Sequence, residues 1–312
     1  MKAPRTASAE TEKHAIRPGQ SVALLQDLHI LTREGKLNQD SRRKLKQVYH
    51  LFQFIEPLLQ GVRERHADPC LVDHGAGKSY LGFLLYDLFF KAQAPQGRII
   101  GVETRDERVQ RSQALATRYG FGGMQFLNLS VAQAMQALQL PPRIDLVTAL
   151  HACDTATDDA IAFGLAHQVQ HMVLVPCCQA EVATHLRAHK SRALHHNPLV
   201  ELWRHPLHTR EFGSQATNVL RCLQLEAHGY QVSVTELVGW EHSMKNELII
   251  ASRLPGASPS PAPGAPQRSA QRLAQMLDAL GLDALRPRFF TGLLSSAPPS
   301  SMPPAAPAAP SA

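Results

Sequence analysis

The stretch Leu71-Val72-Asp73-His74-Gly75-Ala76-Gly77-Lys78-Ser79-Tyr80-Leu81 decides the fold of this chain. A short apolar strand ends in an acidic residue, passes through a glycine turn and enters a new apolar helix. Such a turn brings bare backbone N–H groups and a helix N-terminus close to a polar, nucleotide-like ligand. We therefore interpret the stretch as a cofactor-binding loop.

Two common nucleotide motifs are disfavoured by single positions in this stretch. Gly77-Lys78-Ser79 has the ending of a phosphate-binding loop, but the first glycine of that motif would fall at Val72, inside the strand. A nicotinamide-binding motif needs a glycine where the chain has Tyr80. The pattern that remains is Asp-x-Gly-x-Gly, with Ser79 where a third glycine often stands.

Strands and helices alternate after this loop, as in a parallel doubly wound sheet. The predicted strands are Cys70–Val72, Arg98–Val102, Met124–Leu127, Ile144–Leu150 and Met172–Val175. The predicted helices are Tyr80–Ala92, Asp106–Tyr119, Val131–Leu138, Thr157–His167 and Ala216–His228. Two further runs, Gln231–Val238 and Glu247–Ala251, are expected to form an antiparallel hairpin at the sheet edge. The predicted fold class is α/β, with a Rossmann-like seven-stranded sheet.

The two ends of the chain differ in composition from its middle. Residues 1–18 are polar and are predicted to be disordered, and residues 19–66 are predicted to form an N-terminal helical extension. Residues 67–253 hold the alternating pattern. Residues 254–312 form a Pro-, Ala- and Ser-rich tail, which we expect to be disordered apart from a lone amphipathic helix at 269–285.

The net charge of +6 sits mainly on the flanks. Residues 1–66 hold 12 Lys and Arg against 7 Asp and Glu, or +5, whereas residues 67–253 hold 16 against 17, or −1. Four of the cations, Arg42, Arg43, Lys44 and Lys46, fall in the first turns of a helix that Asn38 or Ser41 can cap. Cations there oppose the helix dipole, so either an RNA backbone or solvent accounts for them.

No membrane segment or disulfide framework is indicated. The richest apolar run, Leu81 to Phe90, is short and contains Asp87, so we expect a soluble cytoplasmic protein. The five cysteines are an odd number and are expected to be thiols.

Residues at the ends of the second and third strands are candidates for cofactor contacts. Glu103 ends the second strand, 103 − 73 = 30 residues after Asp73, where a carboxylate can accept hydrogen bonds from ribose hydroxyls. Asn128 and Leu129 follow the third strand, where such folds contact an adenine ring. A surface glutamate and ordinary turn residues are the alternative reading of these positions.

The fourth and fifth strands end in polar and thiol residues. We expect His151, Asp154, Cys177 and Cys178 to meet at the mouth of the cofactor cleft. His151 can act as a general base, and Asp154 can orient either His151 or the substrate. Cys177 and Cys178 can be catalytic, metal-binding or structural, although their spacing is not the Cys-x-x-Cys of zinc sites, and we predict no metal site.

Four stretches in order resemble one protein family. They are Asp73-His74-Gly75-Ala76-Gly77-Lys78-Ser79-Tyr80-Leu81, Leu150-His151-Ala152-Cys153-Asp154-Thr155-Ala156-Thr157-Asp158, Val175-Pro176-Cys177-Cys178-Gln179 and Glu241-His242-Ser243-Met244-Lys245-Asn246-Glu247-Leu248. Residues 40–253 are similar to a bacterial family of class I S-adenosylmethionine-dependent methyltransferases and, more distantly, to eukaryotic tRNA 2′-O-methyltransferases. The resemblance implies S-adenosylmethionine as cofactor. The contacts it implies are from Asp73, Gly75, Gly77, Ser79, Tyr80, Glu103, Asn128 and Leu129.

Three functions remain open on the sequence. The first is an S-adenosylmethionine-dependent RNA methyltransferase that binds RNA through Arg42, Arg43, Lys44 and Lys46. The second is a non-catalytic RNA-binding or assembly protein that keeps the methyltransferase fold. The third is a methyltransferase that acts on a small molecule or a protein.

Overall fold

The fold is a mixed α/β structure built on one seven-stranded sheet. The computed structural model describes residues 16–36, 38–150, 154–176, 179–188, 198–237, 247–256 and 264–291. The strands are β1 (Cys70–His74), β2 (Arg98–Glu103), β3 (Met124–Asn128), β4 (Leu146–Leu150), β5 (His171–Val175), β6 (Tyr230–Glu236) and β7 (Glu247–Arg253).

Strand order in the sheet is β3-β2-β1-β4-β5-β7-β6. Strands β1 to β5 pair in parallel, whereas β7 runs antiparallel to both β5 and β6. The predicted sheet and its edge hairpin are therefore confirmed. The order reverses between β1 and β4, which is where sheets of this kind form a ligand crevice.

Ten α-helices are described in the ranges above. They are α1 (Val22–Asp27), α2 (Gln39–Arg63), α3 (Tyr80–Leu85), α4 (Asp106–Arg118), α5 (Val131–Ala134), α6 (Ala156–Ala166), α7 (Glu181–Ala188), α8 (Pro206–Ala227), α9 (Ala265–Leu280) and α10 (Arg286–Phe289). A short helical turn at Lys91–Gln93 is treated as a second part of α3. A π-helical turn, Tyr86–Phe90, joins the two parts of α3, and 3₁₀ turns lie at Pro198–Trp203 and Asp283–Leu285.

Alternate residues of the strands supply two separate cores. Leu71, Ile99 and Leu146 belong to the cluster that α1, α2 and α3 cover, whereas Val72 and Val147 belong to the cluster that α6 covers. All of these side chains are buried. The strands therefore read as continuous apolar runs because both faces of the sheet are covered.

The N-terminal extension packs on the first of these cores. Asn38 caps α2 by accepting a hydrogen bond from the Ser41 backbone N–H at 2.7 Å, which selects Asn38 from the two predicted caps. Asp87, in the π-helical turn, accepts the Ser21 N–H at 2.8 Å and so holds the chain before α1. Residues 19–36 and α2 are thus attached to the sheet domain.

A third core lies among α7, α8, α9 and α10. Leu186, Trp203, Leu220, Leu277 and Phe289 are all buried in it. The helix predicted at 269–285 is present as Ala265–Leu280, but it is not the lone helix that we expected. Its leucines recur at helical spacing and bury against α8, so the chain after β7 carries part of the packed structure.

Two predicted helices differ in length from those observed. The long helix predicted at Ala216–His228 begins ten residues earlier because Pro206 suits a first helical position. The helix predicted at Val131–Leu138 ends at Ala134, and the Ala137 N–H bonds to the Ala134 carbonyl in a tighter turn. No helix within the described ranges is both long enough and apolar enough to cross a membrane.

Candidate active site

The candidate site lies along the carboxyl ends of the parallel strands, and the glycine loop after β1 forms its first part. Gly75, Gly77 and Ser79 adopt left-handed backbone conformations, with φ of +64°, +59° and +51°. The Ala76 N–H donates to the Val102 carbonyl at 3.1 Å and so ties the loop to β2. Glycine adopts this conformation without steric cost, which explains the alternating pattern in the sequence.

Glu103 closes the other side of this loop. Its Oε2 accepts the Gly77 N–H at 2.9 Å, and its Oε1 accepts both the backbone N–H and the Nε of Arg105 at 3.1 Å. Burial alone would raise the pKa of Glu103, but the hydrogen bonds and charges of Arg105 and Arg108 hold it below its ordinary value. Glu103 is therefore an ionised acceptor, and Oε2, which accepts one backbone hydrogen bond, keeps a second lone pair for a ligand hydroxyl.

Asp73 lies beneath the loop and is buried. Its Oδ1 accepts a hydrogen bond from the Thr148 hydroxyl at 2.7 Å, across the β1–β4 pair. Burial raises the pKa of Asp73 to about 7, and the Thr148 bond only partly offsets this. Asp73 is thus close to half-protonated at neutral pH, and a positively charged group beside it would shift it to its ionised form.

His74 is a buried polar residue that packs against an aromatic ring. Its side chain is buried and meets the ring of Phe163 edge to face, with 4.4 Å between centroids. Neither ring nitrogen has a hydrogen-bond partner among the described residues. Burial lowers the pKa of His74 to about 3, so the ring is neutral and faces the α6 side of the sheet.

Two predicted cofactor residues, Ser79 and Tyr80, form the start of α3. The Ser79 side chain is buried, and its Oγ has no partner among the described residues. This oxygen lies 2.6 Å from the position that a Cβ on Gly82 would take, so it points into the helix. Tyr80 is half-buried beside the exposed Lys78, whose Nζ lies 6.0 Å from the ring centroid.

Asn128 and Leu129 lie at the end of β3, next to Glu103. Asn128 pairs with Glu103 in the β2–β3 register, and its amide donates to Asp106 at 3.1 Å. Leu129 is half-buried against the core under α6. The structure therefore gathers the loop, Glu103 and Asn128 along neighbouring strand ends, as the sequence predicts.

Asp154 belongs to the second half of the edge, after β4. Its backbone is left-handed, with φ of +50°. Its Oδ1 accepts the backbone N–H groups of Ala180 and Glu181 at 2.9 and 3.4 Å, at the start of α7. In this structure the Asp154 carboxylate caps a helix, an interaction that the sequence reading did not foresee.

Arg221 of α8 contacts residues in this half of the edge. The Arg221 side chain is fully buried and forms a bidentate ion pair with Asp158, with both N–O distances 2.7 Å. Its Nη2 also donates to the Asp154 carbonyl at 2.9 Å. A buried guanidinium with these bonds fixes the turn between β4 and α6.

The bonds of Arg221 continue to β5 and β7. Arg221 and Gln179 both donate to the side-chain oxygen Oδ1 of Asn218 at 3.0 Å, and the side-chain Nδ2 of Asn218 donates to Glu247 at 2.6 Å. Gln179 also accepts from the Ser214 hydroxyl. We call Asp158, Gln179, Asn218, Arg221 and Glu247 the Arg221 network.

Three of the four predicted catalytic residues, His151, Cys177 and Cys178, lie outside the described residues, so their roles stay predictions. Asp154 and Gln179 border them in the chain and are held by the interactions above. Within the described ranges, no group of three or more His, Cys, Asp or Glu residues is placed to hold a metal ion. Cys70 and Cys222 are free thiols whose pKa values burial raises to about 12.

Sequence reasoning missed the Arg221 network, although part of it was visible. Gln179 and Glu247 stand inside two of the four stretches that carry the family resemblance. Asn218 and Arg221 are three residues apart on α8, among the buried positions of that helix. A polar pair at helical spacing on an apolar face is the signal that identifies such a network.

Comparison with known proteins adds a functional class. Residues 43–185 match a family model described as a methyltransferase domain. This match covers just under half of the 312 residues and includes β1 to β5, the glycine loop and Glu103. No curated protein matches the chain in sequence. The family match indicates a methyltransferase domain in this part of the chain.

Three solved structures illustrate the structural similarity. The citrinin polyketide synthase CMeT domain has 15% identity and a TM-score of 0.42, with 70% of this chain and 58% of that chain covered. Magnesium protoporphyrin IX methyltransferase from Synechocystis PCC 6803 with bound SAH has 13% identity and a TM-score of 0.40, with 78% and 99% covered. The fibrillarin/Nop5p complex has 13% identity and a TM-score of 0.37, with 61% and 74% covered.

Proposed function

We propose that this protein is an S-adenosylmethionine-dependent methyltransferase that acts on RNA. The observation that carries the proposal is the left-handed glycine loop closed by the ionised Glu103. The methyltransferase-domain match over residues 43–185 supports the same reaction class. RNA as the acceptor is supported by the basic N-terminal extension.

The residues at the ends of β1, β2 and β3, which form the first half of the carboxyl edge, fit the proposed cofactor. Gly75 and Gly77 leave the backbone of the loop accessible, while Glu103 Oε2 has acceptor capacity for a ribose hydroxyl and Asn128, whose amide nitrogen donates to Asp106, has a side-chain oxygen for an adenine edge. When bound, S-adenosylmethionine supplies a methyl group already activated on a sulfonium. A positive charge near the buried Asp73 would stabilise its ionised form and so lower its raised pKa.

The second half of the edge would hold the methyl acceptor. The protein's task there is to align a nucleophile and to accept its proton. His151 is the proposed base for that proton. The Arg221 network holds the Asp154 carbonyl and the Gln179 side chain, two residues that stand close in the chain to His151 and to Cys178.

The proposed RNA contact is at the start of α2. Arg42, Arg43, Lys44 and Lys46 are exposed there, and the helix turns its apolar residues, including Leu45 and Val48, toward the core. Exposed cations on one end of a helix can track a phosphate backbone.

Cofactor binding tests the first part of the proposal. Isothermal calorimetry with S-adenosylmethionine should show binding to the wild-type chain and loss of about tenfold in affinity for Glu103→Gln, because a charge-assisted hydrogen bond is removed. Glu211→Gln changes an exposed acid on α8 and should bind like wild type. Absence of binding to the wild-type chain would sink the proposal.

Methyl transfer tests the acceptor. Tritiated methyl groups should enter total RNA from a strain that lacks the protein, and reversing Arg42, Arg43, Lys44 and Lys46 to Glu should abolish this transfer. If the RNA binds and no methyl group is transferred, the protein is a non-catalytic RNA-binding protein. If label enters a protein or a small molecule instead of RNA, and charge reversal leaves that transfer unchanged, the acceptor is a protein or a small molecule.

A further inference from the structure

A cavity of about 530 Å³ lies beside the glycine loop. Its walls are the end of α1 with Leu28, the start of α3 with Lys78 and Tyr80, and the face of α4 that carries Arg111 and Leu115. We call it the α1–α4 cavity. The walls include Gly77 and Tyr80, two of the predicted cofactor contacts, but not Asp73, Glu103 or Asn128, so the cavity shares one side with the predicted cofactor cleft and extends away from it. Its volume is that of a small-molecule or single-nucleotide site.

Four cations line the cavity, and two of them are unpaired. Arg105 and Arg108 are paired with Glu103, at N–O distances of 3.1 and 3.7 Å. Lys78 and Arg111 are exposed, and no carboxylate of the described residues forms an ion pair with either. Two positive charges in the cavity wall are thus available to a ligand.

The carboxylates of the cavity are mostly engaged elsewhere. Asp27 accepts hydrogen bonds from Arg118 and from the hydroxyl of Tyr119 at 2.8 and 2.6 Å. Asp106 accepts from two side-chain amides, of Gln110 and Asn128. Glu107 has no such bond within the described ranges. With Arg118 and Glu103 included, five cations face four carboxylates, a net charge of +1 with His29 neutral.

The rest of the wall is apolar or aromatic. Leu28 is buried, while Leu115 and the Tyr80 ring are half-buried against the same core. A net charge of +1 matches a phosphodiester, which carries one negative charge. An aromatic ring beside it can stack on a base or a ribose.

We propose that the α1–α4 cavity binds one nucleotide of the RNA acceptor, with its phosphodiester recognised by Lys78 and Arg111. This inference rests on the proposed RNA methyltransferase function and deepens it. The RNA then passes directly beside the glycine loop, and α1 contributes a wall of the substrate site. Glu107, as the unpaired acid of that wall, weakens binding.

Fluorescence anisotropy of a labelled single-stranded RNA with the full chain tests the proposal. Arg111→Gln should weaken binding about tenfold, by loss of a charged hydrogen bond, and reduce the slope of log affinity against log salt by about 0.7. Arg111→Lys keeps the charge and should retain most of the affinity. Glu107→Gln should act in the opposite direction and tighten binding.

A matched control and a second measurement separate this inference from the proposed function. Arg187→Gln removes an exposed cation of α7, outside the cavity, and should leave RNA affinity unchanged. Calorimetry with S-adenosylmethionine should give the same affinity for wild type, Arg111→Gln and Glu107→Gln. If Arg111→Gln binds RNA as tightly as Arg187→Gln, the cavity assignment is wrong even though methyl transfer to RNA stands. If the wild type binds the cofactor but no RNA, both the cavity assignment and the RNA acceptor fail.

Discussion

The two halves of the carboxyl edge of the sheet differ in the chemical groups that form them. At the ends of β1, β2 and β3, backbone N–H groups of a glycine loop face one carboxylate, Glu103. At the ends of β4 and β5 and the start of β7, buried side chains from α6 and α8 meet at Arg221. The first half relies on backbone conformation and the second on a buried charge.

This difference determines how each half responds to change. Conformation at a glycine is a local property, so a substitution there causes strain that neighbouring residues do not relieve. The Arg221 network spans long separations, since Arg221 lies 63 residues from Asp158 and 67 from Asp154. Loss of one member leaves the other charges and amides buried without partners.

Breaking the Arg221 network should give the largest effect. Asp158→Ala leaves the guanidinium of Arg221 buried and unpaired, and should lower the free energy of unfolding by about 3–5 kcal/mol. Urea unfolding measures this loss. The double variant Asp158→Leu with Arg221→Met removes both charges and should recover most of it, so equal destabilisation of the single and double variants would contradict the ion-pair account.

Titration of Asp73 should give the next largest effect, in the first half of the edge. Its pKa is about 7 in the folded chain and near 3.9 in the unfolded chain, so the stability from its protonated form is fully present below pH 4 and is lost as pH rises through 7. Relative to Asp73→Asn, wild-type stability should fall by about 2–4 kcal/mol between pH 4 and pH 8. Chemical unfolding at several pH values checks this, and parallel curves would exclude a buried acid with a raised pKa.

Substitution in the glycine loop should have a moderate effect. Gly77→Ala places a Cβ 3.5 Å from Arg108, an ordinary contact, but forces a left-handed conformation that costs about 1–2 kcal/mol. The unfolding free energy and the affinity for S-adenosylmethionine should both fall. Gly61→Ala, in α2 with no atom within 4 Å of the new Cβ, should instead stabilise the chain by about 0.5–1 kcal/mol. Equal effects of the two variants would show that the loop conformation is not required.

The smallest effect tests what Asp154 does. Asp154→Ala removes the cap of α7 and should cost about 1 kcal/mol, whereas Asp154→Asn keeps an oxygen for the Ala180 N–H and should cost less. Methyl-transfer rates distinguish capping from catalysis. A stable Asp154→Asn variant without turnover would support the catalytic role predicted from the sequence, and full turnover would leave capping as its function.

The sheet and its order of elements could be predicted because each depends on local patterns. Apolar runs such as Ile99–Val102 are continuous, since alternate residues fill two cores, and the turn after His74 needs glycine for its left-handed backbone. The packing of α9 could not be predicted. Its leucines show an amphipathic helix, but their partner is α8, more than 40 residues earlier in the chain.

The candidate site likewise has residues that could be predicted from the sequence and interactions that could not. Glu103 could be placed at the loop because a strand end is visible in sequence, although its bond to Gly77 was not foreseen. The carboxylate of Asp154 was assigned to catalysis, while in the structure it caps α7, a helix that begins 27 residues later. A polar residue at a strand end shows where chemistry can occur, but its hydrogen-bond partner depends on the tertiary structure.

The π-helical turn in α3 limits how the chain can change in length. Tyr86 and Asp87 are neighbours, yet the Tyr86 hydroxyl accepts the Gly123 N–H before β3 while Asp87 accepts the Ser21 N–H before α1. A π-helical turn contains one residue more than an α-helical turn. Deleting one residue within 86–90 would leave a regular helix, in which successive side chains are about 100° apart, so the side chains of this turn would change direction. One of the two anchors would then be lost, so this helix tolerates substitutions more readily than deletions.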